Sequence, residues 1–271
     1  VQVNHPDVGW MFRDRNGDGK PDQGFSGMFG AMDIMEVHPP HQIFEEVKLD
    51  ARGNAHASTI VGWLQLLNQG KRIPGVVNTD AHENFHGSGF LRSYLKSPTD
   101  DPARIKTLDV VHAAEQGHLV MTNGPFLEVK MKAGDASDKE AIPGDDLAAS
   151  GGRATLQIRV QCPNWHNVDR VQVFLNGRPS DSLNFTRAAT PDRFSDSTIK
   201  FEQSLAIQLE HDTHVIVAVI GEHSKLGPVI GPSHAADLPV AVSNPIFVDV
   251  DGGGFKANGD KLGGLPTKTE K

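Results

Sequence analysis

Cysteine is almost missing from this chain. Its 271 residues contain one, Cys162, which excludes an internal disulfide framework and a zinc site built from several thiolates. Long apolar runs are missing as well; no stretch approaches the roughly 20 residues that a membrane-crossing helix needs. Positive charge is in deficit, with 26 Lys and Arg against 34 Asp and Glu and a formal net charge of -8. That balance argues against a nucleic-acid partner. No initiator Met, signal peptide or polar lead-in stands at the start. Val1-Gln2-Val3-Asn4-His5-Pro6 reads as the end of a β-strand with a turn behind it, so the expectation is a chain cut from a longer one. What remains is a globular composition, 38% hydrophobic with a mean hydropathy of -0.35. It is long enough for two modest domains or one large one.

The stretch that organises the chain is Val76-Val77-Asn78-Thr79-Asp80-Ala81-His82. Two apolar residues run into a polar turn carrying a carboxylate and an imidazole two positions apart. On an extended backbone such residues project to one side and can meet one metal ion. By itself Asp-x-His is a weak motif, and polar pairs at strand ends often only cap and solvate.

Its surroundings strengthen it. Ala31–Val37 reads as a buried strand ending in Glu36-Val37-His38. From about His56 to Asn68 the pattern is helical, with Ile60, Trp63, Leu64 and Leu67 at i, i+3, i+4 and i+7. Trp63 and Leu67 read as core, and Gly70 is placed to end the helix in the left-handed conformation. Asp101-Pro102 predicts another helix, with Asp as N-cap, Pro at its first position and an apolar face of Ile105, Leu108 and Val111. Gly117 ends it, and Leu119–Thr122 is a further strand. Alternating strands and helices predict a parallel sheet with crossover helices through residue 125. In such sheets ligands bind beyond the carboxyl ends of the strands, where His5, Glu36, Asp80 and His82 all fall.

After Pro125 the period changes to two. Leu156, Ile158 and Val160 alternate with polar residues, as do Val171, Val173 and Leu175, which lead into the tight-turn pair Asn176-Gly177. Further strands are expected at 199–209, 214–220 and 246–250. The predicted organisation is therefore an α/β part over 1–125, an antiparallel β-sandwich-like domain over 126–250, and a loose Gly/Lys-rich tail over 251–271. His211, His214, His223 and His234 are dispersed and read as surface or loop residues.

Two further stretches suggest calcium. Asp14, Asn16, Asp18 and Asp22, with Gly19 among them, carry oxygen ligands at relative positions 1, 3, 5 and 9 of a calcium-type loop. Phe25 stands where a bidentate Glu would close a full EF-hand. The alternative is a solvated, turn-rich insertion. Asp249, Asp251 and Asp260 offer a second loop of poorer spacing.

Taken in order, these pieces resemble the PHP-domain metallohydrolases, in particular the CehA/McbA-like branch. The matching stretches are Asn4-His5-Pro6, Asp33–Val37, Trp63–Gly70, Asn78–His82, Thr122–Phe126 and Asn244–Gly252. The resemblance implies part of a (βα)7 barrel with two or three divalent transition metals (zinc, manganese or iron) at its strand ends. It implies His5 as ligand to one metal and Asp80 and His82 as ligands to others. The family's opening His-x-His strand does not occur here, so an N-terminal barrel half is the expected partner. The implied activity is metal-dependent hydrolysis of a small phosphoester, carboxylic ester or carbamate, in a chain that as it stands is expected to bind metal weakly and to be inactive by itself. Glu36 is a candidate to orient water, or else a salt-bridging residue. Arg92 is a candidate contact for an anionic substrate, or else a surface residue. His38, His41 and His86 are spare ligands. The competing expectation is a non-catalytic, calcium-stabilised binding or structural module. The calcium-type loop and the family's frequent export point to an extracytoplasmic location, periplasmic or secreted.

Overall fold

The computed structural model describes residues 1–6, 26–45, 48–49, 55–56, 58–82, 87–134, 139–260 and 262. The Asp14–Asp22 loop and His86 lie outside the described residues. In chain order the first part contains β1 (Gln2–Val3), β2 (Ile34–Glu36), β3 (Lys48–Leu49), β4 (Ala55–His56), helix α1 (Thr59–Asn68), β5 (Gly75–Val76), β6 (Arg92–Leu95), helix α2 (Thr107–Glu115) and β7 (Leu119–Thr122). The second part contains β8 (Phe126–Ala133), β9 (Glu140–Ala141), β10 (Asp146–Ala148), β11 (Arg153–Gln161), β12 (Arg170–Leu175), β13 (Arg178–Thr186), β14 (Ile199–Gln208), β15 (Thr213–Ile220), β16 (Val240–Ser243) and β17 (Ile246–Asp249).

Strands β1, β2 and β5 form a three-stranded parallel sheet in that order. Helix α1 is the crossover between β2 and β5. Ser58 caps it, its Oγ accepting from the Val61 N–H, and Gly70 leaves it at φ 79°. Ile60, Trp63, Leu64 and Leu67 are buried, as their spacing requires, and the Trp63 indole N–H donates to the Ile73 carbonyl at 2.8 Å.

The parallel pattern stops there, and the expected (βα)7-type barrel does not form. The described residues are mostly β-sheet with two α-helices and no closed barrel. Strands β6 and β7 pair with each other antiparallel, and β7 pairs antiparallel with β16. They therefore belong to the β-rich sheet. Strand β7 is buried throughout because that sheet is covered on both faces, the feature that makes it read like a parallel strand. The second predicted helix forms, but it joins the antiparallel strands β6 and β7 rather than crossing over between parallel ones. Asp101 Oδ1 accepts from Ala103 N, but the turn it caps is a short 3-10 helix, Pro102–Arg104. Helix α2 starts later, and Leu108, Val110 and Val111 point to solvent.

Beyond residue 125 the period-two reading holds. A four-stranded antiparallel sheet, β14-β11-β8-β9, faces an eight-stranded sheet that runs β10-β17-β15-β16-β7-β6, with β12 joining at β15 and β13 at β12. Leu156, Ile158 and Val160 from β11 pack with Val171, Val173, Val215, Val217 and Val219 across the sandwich. The Asn176-Gly177 turn closes the β12–β13 hairpin with both residues at positive φ, 49° and 76°, as a primed turn demands.

Strand β15 shows how the layers stack. Val215, Val217 and Val219 face the sandwich core, while Ile216 and Ala218 face a second core with Trp63, Leu64 and Met35. The eight-stranded sheet is thus a middle layer. A buried amide joins it to the parallel sheet: Asn244 Oδ1 accepts from Gly75 N at 2.9 Å and its Nδ2 donates to Gly75 O at 2.8 Å.

The expectation that His214 is a surface residue is corrected. It is fully buried on β15, its Nε2 2.7 Å from Asn68 Oδ1. The same asparagine donates to the carbonyls of Asn176 and Asp260. Residues 251–260 carry no strand or helix, yet they are tied to the body by this network and by Gly259 N donating to Asn68 O. Among the described residues no helix is long and apolar enough to cross a membrane.

Candidate metal centre

Parallel strands that share a direction present their carboxyl ends on one edge, and this sheet delivers His5, Glu36 and the Asp80 turn there. His5 follows β1 and stands at φ 46°. Its backbone N–H donates to Glu36 Oε2 at 2.7 Å, and its Nδ1 lies 3.5 Å from the same oxygen. Glu36, the last residue of β2, is 2% exposed. Its other oxygen accepts from Asn78 Nδ2 at 2.8 Å, and Gln2 Nε2 bonds Asn78 Oδ1 at 3.0 Å. A buried carboxylate behind an imidazole helps to orient the ring, the usual support for a metal-ligating histidine.

Asp80 faces the other ring nitrogen of His5, with Oδ2 3.4 Å from His5 Nε2. The backbone is not extended at this turn, since Asp80 has φ 51°. The pair Asp80 and His82 is therefore brought together by the turn rather than by strand alternation. His82 Nδ1 lies 2.7 Å from the Asp80 carbonyl and 3.8 Å from its Oδ2. A carbonyl only accepts, so Nδ1 is the protonated nitrogen and the ring lone pair is on Nε2. Thr79 holds the turn, its hydroxyl donating to Leu91 O and accepting from Gly89 N.

One ligand pair has the spacing that a divalent transition ion requires. Two ligand atoms about 2.1 Å from one tetrahedral ion lie about 3.4 Å apart, the separation of His5 Nε2 from Asp80 Oδ2. That spacing is long for a direct hydrogen bond. Imidazole with carboxylate is a mixture suited to zinc, manganese or iron. His38 joins this edge, and its pKa is held below the ordinary histidine value first by desolvation, with Glu36 opposing and His41 and His5 adding to the fall. His41 turns aside toward Glu45, 3.5 Å away.

Arg92 stands elsewhere. Its Nη1 donates to the carbonyls of Gly89 and Phe90, and its Nε to Tyr94 Oη. It braces the loop after the Asp80 turn and lines a separate cavity. The residue that sequence reasoning undervalued is Asn78, which anchors Glu36. The signal was its place two residues before Asp80, on the last extended stretch of the strand.

Among the described residues, His5, Asp80 and His82 do not bring three ligand atoms within 4.8 Å of one another; the groups that do lie elsewhere, Asp169 with Glu222 and His223, and Asp212 with Asp249 and Asp251. In both, the carboxylates already hold turns. Asp169 accepts from the backbone N–H groups of Glu222 and His223. Asp212 accepts from Val250 and Lys256, Asp249 from Gly252 and Gly254, and Asp251 from Gly253. Asp260, proposed from sequence as a partner of Asp249 and Asp251, is drawn away to Arg178 instead.

The chain matches no family model, no curated protein and no solved structure.

Proposed function

We propose that His5, Asp80 and His82 bind a divalent transition metal and that the site serves hydrolysis of a small ester-type substrate, a phosphoester, carboxylic ester or carbamate. We further propose kinship with the PHP-domain metallohydrolases of the CehA/McbA-like branch. The observation that carries the reading is the 3.4 Å approach of His5 to Asp80 across three parallel strands, with Glu36 buried behind the histidine. A bound ion would supply Lewis acidity and lower the pKa of the water it holds. The chain's own part is to orient the ligands. Glu36 anchors His5 through its backbone N–H and is itself held by Asn78, and Thr79 and Ser93 hold the Asp80 turn in place, Ser93 Oγ accepting from Val77 N. Glu36 lies behind the ligand, so it is a positioning residue.

Calorimetric titration with Mn²⁺ or Zn²⁺ tests the assignment. Asp80→Ala is expected to weaken binding at least tenfold, and Glu36→Gln about tenfold by loosening His5. Hydrolysis of p-nitrophenyl phosphate, p-nitrophenyl acetate or an aryl carbamate should follow metal loading. Equal affinity in parent and Asp80→Ala would remove the metal site. Full metal loading with no turnover of any of the three substrates would remove the hydrolase.

A further inference from the structure

A second cavity, of about 380 Å³, opens between the start of β6, the start of β8 and the segment joining β11 to β12. This is within the range of small-molecule sites, and none of the candidate ligands His5, Asp80 or His82 lines it. Two aromatic pairs from different parts of the chain border it. Tyr94 and Phe126 meet edge-to-face with centroids 5.2 Å apart, and Trp165 stands edge-to-face to His166 at 6.2 Å. Tyr94, Phe126 and Trp165 are 38%, 39% and 59% exposed. Three large rings left accessible around one concavity form stacking surfaces for a flat ligand.

The wall is also cationic. Arg92 lines the cavity with its guanidinium 5.1 Å from the Tyr94 ring centroid. Among the described residues nothing accepts from its Nη2. His166 is 5% exposed, and its Nδ1 has no hydrogen-bond partner. Burial pushes His166 down to about 4, and the charges acting on it, Lys200 and Arg92, are both positive. The Cys162 thiol on the same wall is pushed up to about 11 by burial, and its charged neighbours, Lys200 and Arg187, are positive too. In a chain of net charge -8, this is a local site for an anion. A neutral thiol and a neutral imidazole supply an uncharged floor.

We propose that this cavity binds a planar aromatic anion. The ring stacks against Trp165, Phe126 and Tyr94, and the acid group accepts from Nη2 of Arg92, the nitrogen that the bonds to Tyr94, Gly89 and Phe90 leave open. The site stands independently of the metal centre.

Indole-3-carboxylate is the probe, titrated calorimetrically into the whole chain. One-to-one binding is expected. The neutral indole-3-carboxamide and the non-aromatic cyclohexanecarboxylate should each bind at least tenfold more weakly, the first for lost charge and the second for lost stacking. Trp165→Ala, whose side chain is exposed, should keep the melting temperature and lose at least tenfold in affinity. His82→Ala should bind the probe as the parent does. No saturable binding, an unchanged affinity in Trp165→Ala, or loss of binding in His82→Ala would each overturn the proposal.

Discussion

Gly152→Ala is expected to destabilise the fold by about 3 kcal/mol or more, while Gly151→Ala beside it costs only about 1 kcal/mol. Both glycines have positive φ, 70° and 73°, so both substitutions carry the left-handed strain of a side chain. They differ in what surrounds them. A Cβ at Gly151 would meet nothing within 4 Å, whereas one at Gly152 would lie 1.8 Å from the Leu209 carbonyl oxygen. That oxygen belongs to backbone held by Leu209 N donating to Gly152 O at 2.9 Å, so it cannot swing aside as a side chain would. Relief requires opening the junction between β11 and the end of β14. Urea denaturation of the two variants separates backbone strain from atomic overlap. Equal losses would show that the junction yields, and would refute the rigidity assigned to it.

Lowering the pH from 6.5 to 4.5 is expected to reduce stability steeply, by up to about 1.4 kcal/mol per pH unit for each buried neutral histidine. Burial pushes His214 down to about 4, and His166 falls to about 4 for the same leading reason. Above pH 6.5 both rings are neutral folded or unfolded, and they add no pH dependence. Between 6.5 and 4 the unfolded chain takes up protons that the folded chain refuses, so the balance shifts toward unfolding as pH falls. Below about 4 the folded rings protonate and the slope from this source ends. Carboxylates held low by partners, such as Asp260 by Arg178, act at lower pH and in the same direction. His214→Gln isolates the histidine contribution. Its melting temperature should fall less steeply through the window, by close to one proton's worth of slope. Parallel curves for parent and variant would refute the assignment.

How much of this was legible in the sequence depended on what each pattern encodes. Alternation marked β11 and β12, because a sandwich strand shows one face to the core, while β15, expected at 214–220, is buried on both faces. The helical spacing of Ile60, Trp63, Leu64 and Leu67 marked α1, because that helix covers a sheet. The same spacing misled at Leu108 and Val111, whose apolar residues have no layer to cover. Strand β7 misled in the opposite way. An unbroken apolar run means burial on both faces, and an antiparallel strand in the middle of three layers satisfies that as well as a strand of a parallel barrel does. Strand β13 was not read because Arg178–Thr186 is largely polar and mostly exposed, with Asn176-Gly177 its only announcement.

At the candidate metal centre, the identities His5, Glu36, Asp80 and His82 were readable from their places at strand ends. Their geometry was not. The left-handed conformations at His5 and Asp80 that turn the side chains toward each other have no signature in residue type. The aromatic cavity was wholly hidden, since Tyr94, Phe126 and Trp165 lie far apart in sequence and converge only through pairing of β6 with β7 and of β8 with β11.

The buried amide of Asn244 bears on how the molecule could be taken apart. It fills, from the far end of the chain, both hydrogen-bonding positions of Gly75 on β5. Excising residues 1–125 as a minimal metal-binding peptide would strip that strand of its clasp and leave two main-chain groups facing an apolar void. The metal ligands and the β-rich layers are therefore expected to form a single inheritance unit, and a transplanted 1–125 segment should show neither dispersed amide resonances nor metal affinity.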